Sequence, residues 1–275
     1  MLGKGNDMVL KANYHTHTTW CDGSSTPREI VEEALRLGFA HLGFSGHMDA
    51  DIHMDMDRYA GEIRKLQAEY GDRLEILCGV EWDNLYDTAC TEGMDFVIGS
   101  THFMDVRYER PLSIDYTPED VVLLCREFYG GDYLKLCRDY YALEATIADK
   151  YPCTFIGHFD LVTKYNHLLH FVDEDDPRYL KPAYEAMEYL AGKGIPFEIN
   201  TRQAHRGKFF PGETLLKRLF SLGGEIVINS DAHGAGELDK GFEAAAELAK
   251  SCGFRHTNYL TKMNGKPEWI QVGLQ

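Results

Sequence analysis

Two histidines alternate with threonines directly behind a short segment, Met8 to Tyr14, that the sequence predicts to be a strand. In an extended chain residues i and i+2 point the same way, so the imidazoles of His15 and His17 lie on one side and can bind the same cation. Two imidazoles do not complete a catalytic metal site, which usually adds carboxylates or further imidazoles. We therefore expect additional ligands at the ends of later strands.

The same residue types do follow most of the later apolar segments. The candidate metal ligands are six histidines and three carboxylates: His15, His17, Asp22, His47, Glu81, His102, His158, Asp231 and His233. Almost no Lys or Arg belongs to this set of strand-end residues, so the carboxylates would repel one another unless cations held them together. Nine ligands suit two or three divalent ions. The other histidines fall outside the pattern and are expected to be ordinary solvated or packing residues: His41, His53, His167, His170, His205 and His256.

The elements that must position these residues are about seven strands alternating with helices. After the first strand, they are expected near 41–46, 74–80, 96–100, 154–157, 196–200 and 225–229, with helices near 26–38, 57–70, 117–150, 178–193 and 213–222 and a last helix before a strand-like tail at 269–272. The Gly130-Gly131 pair should break the third helical region, and the segment 103–116 reads as a loop over the site. Such alternation predicts a parallel sheet, and polar residues at nearly every strand end favour a closed (β/α) barrel, whose carboxyl-terminal mouth carries the site. No linker divides the chain, so residues 1–275 are expected to form a single domain.

The overall charge limits the partners. The 275 residues include 44 acidic and 28 basic side chains, a formal net charge of −16. This balance argues against binding to nucleic acid or an anionic membrane, which need a basic surface. The sequence has no apolar run long enough to cross a bilayer, its first residues lack a signal-peptide core, and its seven scattered cysteines fit reduced thiols, so we expect a cytoplasmic protein.

Several motifs together carry a resemblance to a known family. HTHTTWCDG follows the first strand, FSGH the second, GVEWD the third, GSTH the fourth, GHFD the fifth and NSDAH the seventh. In this order they resemble the PHP (polymerase and histidinol phosphatase) superfamily over essentially the whole chain. The length and the EINT segment after the sixth strand are most similar to its histidinol-phosphate phosphatases. The resemblance implies a distorted seven-stranded (β/α) barrel with a trinuclear metal site.

The resemblance also assigns the nine ligands to individual metals. It places His15, His17, Glu81 and Asp231 on the first metal. Glu81 would bridge to the second metal, which His102 and His158 complete. The third metal would take Asp22, His47 and His233, although some relatives carry histidine in place of Asp22. The metals could be Zn, Mn or Fe, since mixed histidine and carboxylate sites accept all three.

The implied activity is metal-dependent hydrolysis of a phosphomonoester, with L-histidinol phosphate as the expected substrate and histidine biosynthesis as the pathway. Three divalent ions leave the pocket positive, which suits a phosphate dianion. We hypothesise in-line attack by metal-bound hydroxide, since metal binding lowers the pKa of water to about 7 in favourable cases. Glu81, Asp231 and His233 would be the catalytic residues, with Asp231 or His233 protonating the departing alcohol.

Basic side chains near the mouth are expected to bind the phosphate. Arg202 and Arg206 follow the sixth strand, and Lys164 follows GHFD. Guanidinium groups bind phosphate with two parallel hydrogen bonds, which favours the arginines, but the sequence does not decide between them. Residues in the predicted loops that could meet the imidazole and ammonium of histidinol are Trp20, Tyr108, Tyr116, Tyr165, Asp49, Asp51 and Asp105.

Three alternatives remain open. A phosphoesterase of the same superfamily could act on a nucleotide, a phosphopeptide or another small phosphoester. The barrel could also bind metals without catalysis, although a full set of ligands is what turnover requires. A metal-dependent amidohydrolase is disfavoured, because that architecture usually takes a carboxylated lysine and no lysine ends an early strand here. The oligomeric state is not determined by the sequence.

Overall fold

A parallel sheet forms the centre of the chain and curls into a nearly closed barrel in the computed structural model, which describes residues 11–263 and 266–274. Its strands are β1 (Lys11–Asn13), β2 (Phe39–Phe44), β3 (His47–Met48), β4 (Glu75–Asp83), β5 (Phe96–Ser100), β6 (Phe155–Ile156), β7 (Phe197–Asn200) and β8 (Ile226–Asn229). They pair in the order β1-β2-β4-β5-β6-β7-β8, and the two-residue β3 pairs with the second half of β4. The ring closes just beyond β1 and β8. There His17 N donates to Ala232 O over 2.8 Å and Ala232 N donates to His15 O over 3.1 Å.

The helices between the strands are α1 (Pro27–Arg36), α2 (Met56–Tyr70), α3 (Pro118–Tyr129), α4 (Tyr133–Ala145), α5 (Ile147–Lys150), α6 (Asn166–Leu169), α7 (Pro177–Gly192), α8 (Glu213–Ser221) and α9 (Phe242–Cys252). Their starts follow from local sequence. Thr26 and Glu29 form a capping box at α1, and Thr117 caps α3, with proline at the first helical position in both. Gly130 ends α3 with φ +63°, a left-handed conformation that favours glycine.

The amino-terminal end of the barrel is plugged by aromatic and aliphatic side chains. The buried cluster there consists of Ala12, Tyr14, Leu77, Phe96, Ile98, Phe155, Val227 and Leu260. Leu260 belongs to β9 (His256–Met263), which pairs antiparallel with β10 (Lys266–Gly273). The Tyr14 hydroxyl donates to Leu260 O over 2.9 Å, so this two-stranded sheet covers the barrel floor and leaves the opposite mouth free.

The predicted barrel class is confirmed. The break at Gly130-Gly131 separates α3 from α4, as expected. Glu81 was expected just after its strand but lies inside β4, which runs on to Asp83 because β3 and β5 both pair with this part of it. The strand β9 was not expected, and the first part of the predicted strand, Met8 to Leu10, lies outside the described residues. That residues 1–275 form one domain stays a prediction.

Within residues 11–263 and 266–274, no helix has the length and apolar character needed to cross a bilayer.

Candidate metal centre

Glu81 is the side chain around which the barrel mouth is arranged. It is fully buried and projects from β4 among histidines that come from four other places in the ring. Its Oε1 lies 2.8 Å from His158 Nε2 and 3.2 Å from His102 Nε2. Its Oε2 lies 3.0 Å from His47 Nδ1, 3.2 Å from His15 Nε2 and 3.4 Å from His17 Nε2. One carboxylate thus faces two groups of imidazoles, which suits a ligand shared between two cations.

Asp231 faces the same ring nitrogens of His15 and His17 that face Glu81. Its Oδ1 is 3.3 Å from His17 Nε2 and 3.7 Å from His15 Nε2. The residue follows β8 with φ +52°, a left-handed backbone conformation that is uncommon for a non-glycine residue. Such local strain is typical of functional positions held by their surroundings. The turn aims both Asp231 and His233 at the mouth.

A third group of ligands lies nearer the solvent. Asp22 Oδ2 is 3.2 Å from His233 Nε2 and 3.8 Å from His47 Nε2, and Asp22 Oδ1 is 3.6 Å from His17 Nδ1. These four residues could hold one ion together. Three further sets with ligand atoms close enough for an ion combine His15 and His17 with Asp231, His15 and His158 with Glu81, and His47 and His102 with Asp49. All nine residues expected from the sequence therefore meet at one mouth.

The cluster fits divalent cations on the chemistry of its donors. Five buried atoms that face one another in the cluster have no hydrogen-bond partner among the described residues: Nε2 of His15 and His17, Nδ1 of His47, Oε2 of Glu81 and Oδ1 of Asp231. Buried polar atoms are normally paired, so a group of unpaired ligand atoms at one mouth indicates an ion. Burial and the neighbouring His233 and His47 lower the pKa of His17 to about 3, which leaves its imidazole neutral and able to bind a metal.

The acidic ligands are kept ionised by the same arrangement. Burial opposes the charge of Glu81, but His15, His47 and His102 outweigh it and hold its pKa well below the usual range. Burial likewise opposes the charge of Asp231, and the surrounding His15, His17 and His233 again lower its pKa. Both carboxylates are therefore available as anionic ligands near neutral pH.

Supporting residues that the sequence reasoning missed hold the ligands in place. Ser100 Oγ donates to Glu81 Oε1 over 2.8 Å, and His102 N donates to Asp83 Oδ2 over 2.7 Å. Gly157 leaves room for this serine, since a Cβ at that position would lie 2.6 Å from Ser100 Oγ. Glu198, fully buried in β7, lies 2.8 Å from His15 Nδ1. The sequence contained a hint for two of these residues. Asp83 comes two positions after Glu81 and so points the same way along the strand, and Glu198 is a charged residue within an apolar strand.

A cavity of about 210 Å³ opens onto the candidate ligands, and two of the three predicted phosphate-binding residues lie in its wall. Arg202 and Lys164 line the cavity. Arg202 Nη1 lies 2.7 Å from Glu237 Oε2 and donates to Asp231 O over 3.2 Å. Lys164 Nζ lies 3.1 Å from Asp115 Oδ2. Burial disfavours the charge of Lys164, but Asp115 outweighs it and raises the pKa of the ammonium group, which is therefore cationic.

Arg206 has a different position from the other two. It is exposed on a short turn, and its Nη1 lies 2.8 Å from His167 Nε2. The structure does not bring it into the lining of the cavity.

A second cavity of about 750 Å³ adjoins the first and is strongly acidic. The two share Asp22, His47, His102, Asp115 and Tyr116 in their walls. The remaining charged residues of the second cavity are Asp49, Asp51, Arg110, Glu119 and Asp120. Arg110 pairs with Asp120, so its charge is already balanced. The predicted loop 103–116 supplies much of this wall and is held to α6 by the Tyr165 hydroxyl, which donates to Asp115 O over 2.8 Å.

A parallel α/β barrel whose strand ends converge on clustered histidines and carboxylates defines a metal-dependent barrel protein. More specifically, the chain belongs to the PHP domain family, whose profile matches residues 13–202. The match ends before Asp231 and His233, which the fold nevertheless brings to the same mouth.

Proteins of known name resemble the chain over most of its length. A probable histidinol-phosphatase of Deinococcus radiodurans is 31% identical over 266 residues, which cover 89% of this chain and 95% of the relative. The histidinol-phosphatase of Bacillus subtilis is 26% identical over 272 residues, covering 87% and 99%. The crystal structure of histidinol phosphate phosphatase from Lactococcus lactis, complexed with zinc, L-histidinol and phosphate, aligns with a TM-score of 0.74 and 25% identity over 94% of this chain and 98% of that one.

Proposed function

We propose that the chain is a metal-dependent phosphomonoester hydrolase that converts L-histidinol phosphate and water into L-histidinol and phosphate. The observation that carries the proposal is the cluster of nine candidate ligands with Glu81 at its centre, next to a cavity that is also lined by Arg202 and Lys164. Anionic ligands and cationic side chains in the lining of one cavity are what a site needs to hold both metal ions and a phosphate dianion.

The assignment of ligands to individual metals is the one that the family resemblance implies, and the contacts of the described residues are compatible with it. Glu81 would be shared by two ions, one near His15, His17 and Asp231 and the other near His102 and His158; a third would lie between Asp22, His47 and His233. Zinc suits this mixture of imidazole and carboxylate donors, and manganese or iron could replace it. Bound divalent ions would supply Lewis-acid charge for the phosphoryl oxygens and would activate the attacking water.

The protein side chains have three tasks in the proposed reaction. Arg202 and Lys164 orient the phosphate by hydrogen bonds and charge, with Arg202 itself held by Glu237. The water oxygen forms a bond to phosphorus while the ester bond to the alcohol oxygen breaks. Asp231 or His233 gives the proton that the departing alcohol needs.

The adjoining acidic cavity supports a cationic leaving group. Histidinol carries an ammonium group and an imidazole, and the carboxylates of Asp51 and Glu119 are positioned in the wall that such groups would reach. Tyr116 offers an aromatic face at the boundary between the two cavities. The histidinol-phosphatase relatives point to the same substrate. We further propose that the reaction serves histidine biosynthesis in the cytoplasm and that nucleic acid is not a partner, given the net charge of −16.

A substrate panel tests the assignment. Phosphate release by the zinc-loaded protein would be compared for L-histidinol phosphate, p-nitrophenyl phosphate, a nucleoside monophosphate and a phosphopeptide. We expect kcat/KM to be at least about 100-fold higher for L-histidinol phosphate, equivalent to about 2.7 kcal/mol of transition-state stabilisation. Equal values for L-histidinol phosphate and p-nitrophenyl phosphate would refute the specific substrate. Preference for one of the other compounds would identify a phosphoesterase of different specificity.

A further inference from the structure

Glu198 is a buried carboxylate that lies behind the metal ligands. It belongs to β7, is fully buried, and faces the barrel interior together with Asn200, two residues further along the strand. A buried carboxylate is costly unless its oxygens accept hydrogen bonds. Each oxygen of Glu198 has two such contacts, and the two oxygens face different groups of candidate metal ligands.

Oε1 of Glu198 faces the first group of ligands. It lies 2.8 Å from His15 Nδ1, and Asn229 Nδ2 donates to it over 3.1 Å. The other ring nitrogen of His15, Nε2, points away from Glu198 and lies 3.2 Å from Glu81 Oε2 and 3.7 Å from Asp231 Oδ1. A carboxylate can only accept a hydrogen bond, so the proton of the neutral His15 ring belongs on Nδ1. That tautomer leaves Nε2 with its lone pair directed into the cluster.

Oε2 of Glu198 faces the second group. His158 N donates to it over 2.9 Å, and Asn200 Nδ2 donates to it over 3.0 Å. The same amide nitrogen of Asn200 lies 3.1 Å from Asp231 Oδ2. One carboxylate is therefore linked to the side chain of His15, to the backbone of His158 and, through Asn200, to Asp231.

We infer that Glu198 is a positioning residue of the metal centre, which selects the Nδ1-protonated tautomer of His15 and holds His158 and Asp231 at the spacing that two ions require. The inference rests on the metal-binding part of the proposed function and not on the substrate. Residues that accept the second ring proton of a metal-binding histidine raise the basicity of the ligand, and their loss typically reduces metal affinity or activity 10- to 100-fold.

The test measures metal binding in the full-length protein rather than catalysis. Zinc affinity would be determined at pH 7 by competition with a chromophoric chelator for wild type, Glu198→Gln and Glu144→Gln. The Glu198→Gln change would keep the shape of the side chain. It would replace one of the two accepting oxygens by an NH₂ group, which cannot accept the hydrogen bonds that this oxygen receives. Glu144 is the matched control, since it is a fully buried glutamate in α4 whose carboxylate oxygens have no hydrogen bond to a metal ligand among the described residues. Circular dichroism of the metal-free proteins would show that each variant folds.

We expect Glu198→Gln to bind its most tightly held zinc about 10- to 100-fold more weakly than wild type, and Glu144→Gln to bind it equally well. Equal affinity in wild type and Glu198→Gln would overturn the inference while leaving the metal site intact. Absence of zinc binding in wild type itself would refute the proposed function instead.

A measurement on wild type covers the case in which Glu198→Gln does not fold. Two-bond ¹⁵N–¹H correlation spectra of the zinc-loaded protein with labelled histidine report which ring nitrogen carries the proton. The His15 resonances would be assigned with His15→Gln. We expect a proton on Nδ1 of His15, and a proton on Nε2 would overturn the inference.

Discussion

Nε2 of His158 lies 2.8 Å from Oε1 of Glu81, although the two residues are 77 positions apart in the chain. They come from strands that are not adjacent in the ring, since β5 lies between β4 and β6. The contact arises because the carboxyl ends of all the parallel strands converge at one mouth. A residue at this position can be shared between cations only if its second oxygen is also free for a ligand role, and Oε2 of Glu81 is buried without a hydrogen-bond partner among the described residues.

Glu81→Gln should therefore abolish most of the activity. An amide is a poor metal ligand beside a carboxylate, and the change removes the negative charge that balances the surrounding histidines and ions. We expect kcat/KM to fall by more than about 100-fold, above the range for residues that only support a ligand. Metal content after dialysis, measured by mass spectrometry, should fall in parallel. Glu75→Gln is the control at the other end of the same strand, where Glu75 lies 3.0 Å from His41; a similar loss in Glu75→Gln would contradict the special role of Glu81.

The two arginines that follow β7 should differ in effect. Arg202 lines the cavity at the ligands, whereas Arg206 is exposed and contacts His167. Arg202→Ala removes hydrogen bonds to a charged group, which are worth about 1.5–3 kcal/mol each, so kcat/KM should drop at least about 10-fold. Arg206→Ala should stay within about twofold of wild type. Steady-state phosphate release measures both, and the reverse order would place the phosphate nearer Arg206.

The acidic wall should contribute to substrate choice rather than to chemistry. Asp51→Asn removes one exposed carboxylate from the second cavity. If the cationic part of the substrate lies there, KM for L-histidinol phosphate should rise by up to about 10-fold, while p-nitrophenyl phosphate, whose leaving group carries no positive charge, should be hydrolysed unchanged. Asp72→Asn alters an exposed aspartate in the turn after α2 and serves as the control. Equal effects of Asp51→Asn on both substrates would argue against this subsite.

Glu144 should make the stability of the protein depend on pH. Burial raises the pKa of this carboxyl to about 8, with Thr101 opposing the shift. The unfolded chain loses the proton above its ordinary pKa of about 4.3 while the folded chain keeps it, so stability is fully present below that value and declines as the pH rises to about 8. The loss is at most about 1.4 kcal/mol per pH unit for this group.

Urea unfolding with chelator present, at pH 5, 6.5 and 8, measures this effect. Relative to Glu144→Gln, which has no proton to lose at this position, wild type should lose stability steadily across the series. A constant difference between the two proteins over these pH values would show that Glu144 does not titrate in this way.

The convergence of the nine candidate ligands could be predicted from the sequence because strand ends in a parallel barrel are brought together whatever their separation along the chain. His15 and His17 needed only the alternation of an extended segment, and Asp231 and His233 repeat that spacing after β8. Glu198 was missed, since its role depends on which atom of His15 it faces, and only three-dimensional packing decides that. The separation of Arg202 from Arg206 depends likewise on a single short turn. The strand-like tail expected at 269–272 lies within β10, but β9 and its pairing with β10 over the barrel floor were missed, because an antiparallel pair has no counterpart in the strand-helix alternation.

The most direct test of a multinuclear hydrolytic centre is a zinc titration of the metal-free protein, with phosphate release from L-histidinol phosphate followed at each step. Nine candidate ligands, with Glu81 at their centre, predict negligible activity without metal and a rise that ends at two or three zinc ions per chain. Full activity in the metal-free protein, or no phosphate release at any zinc occupancy, would contradict the account.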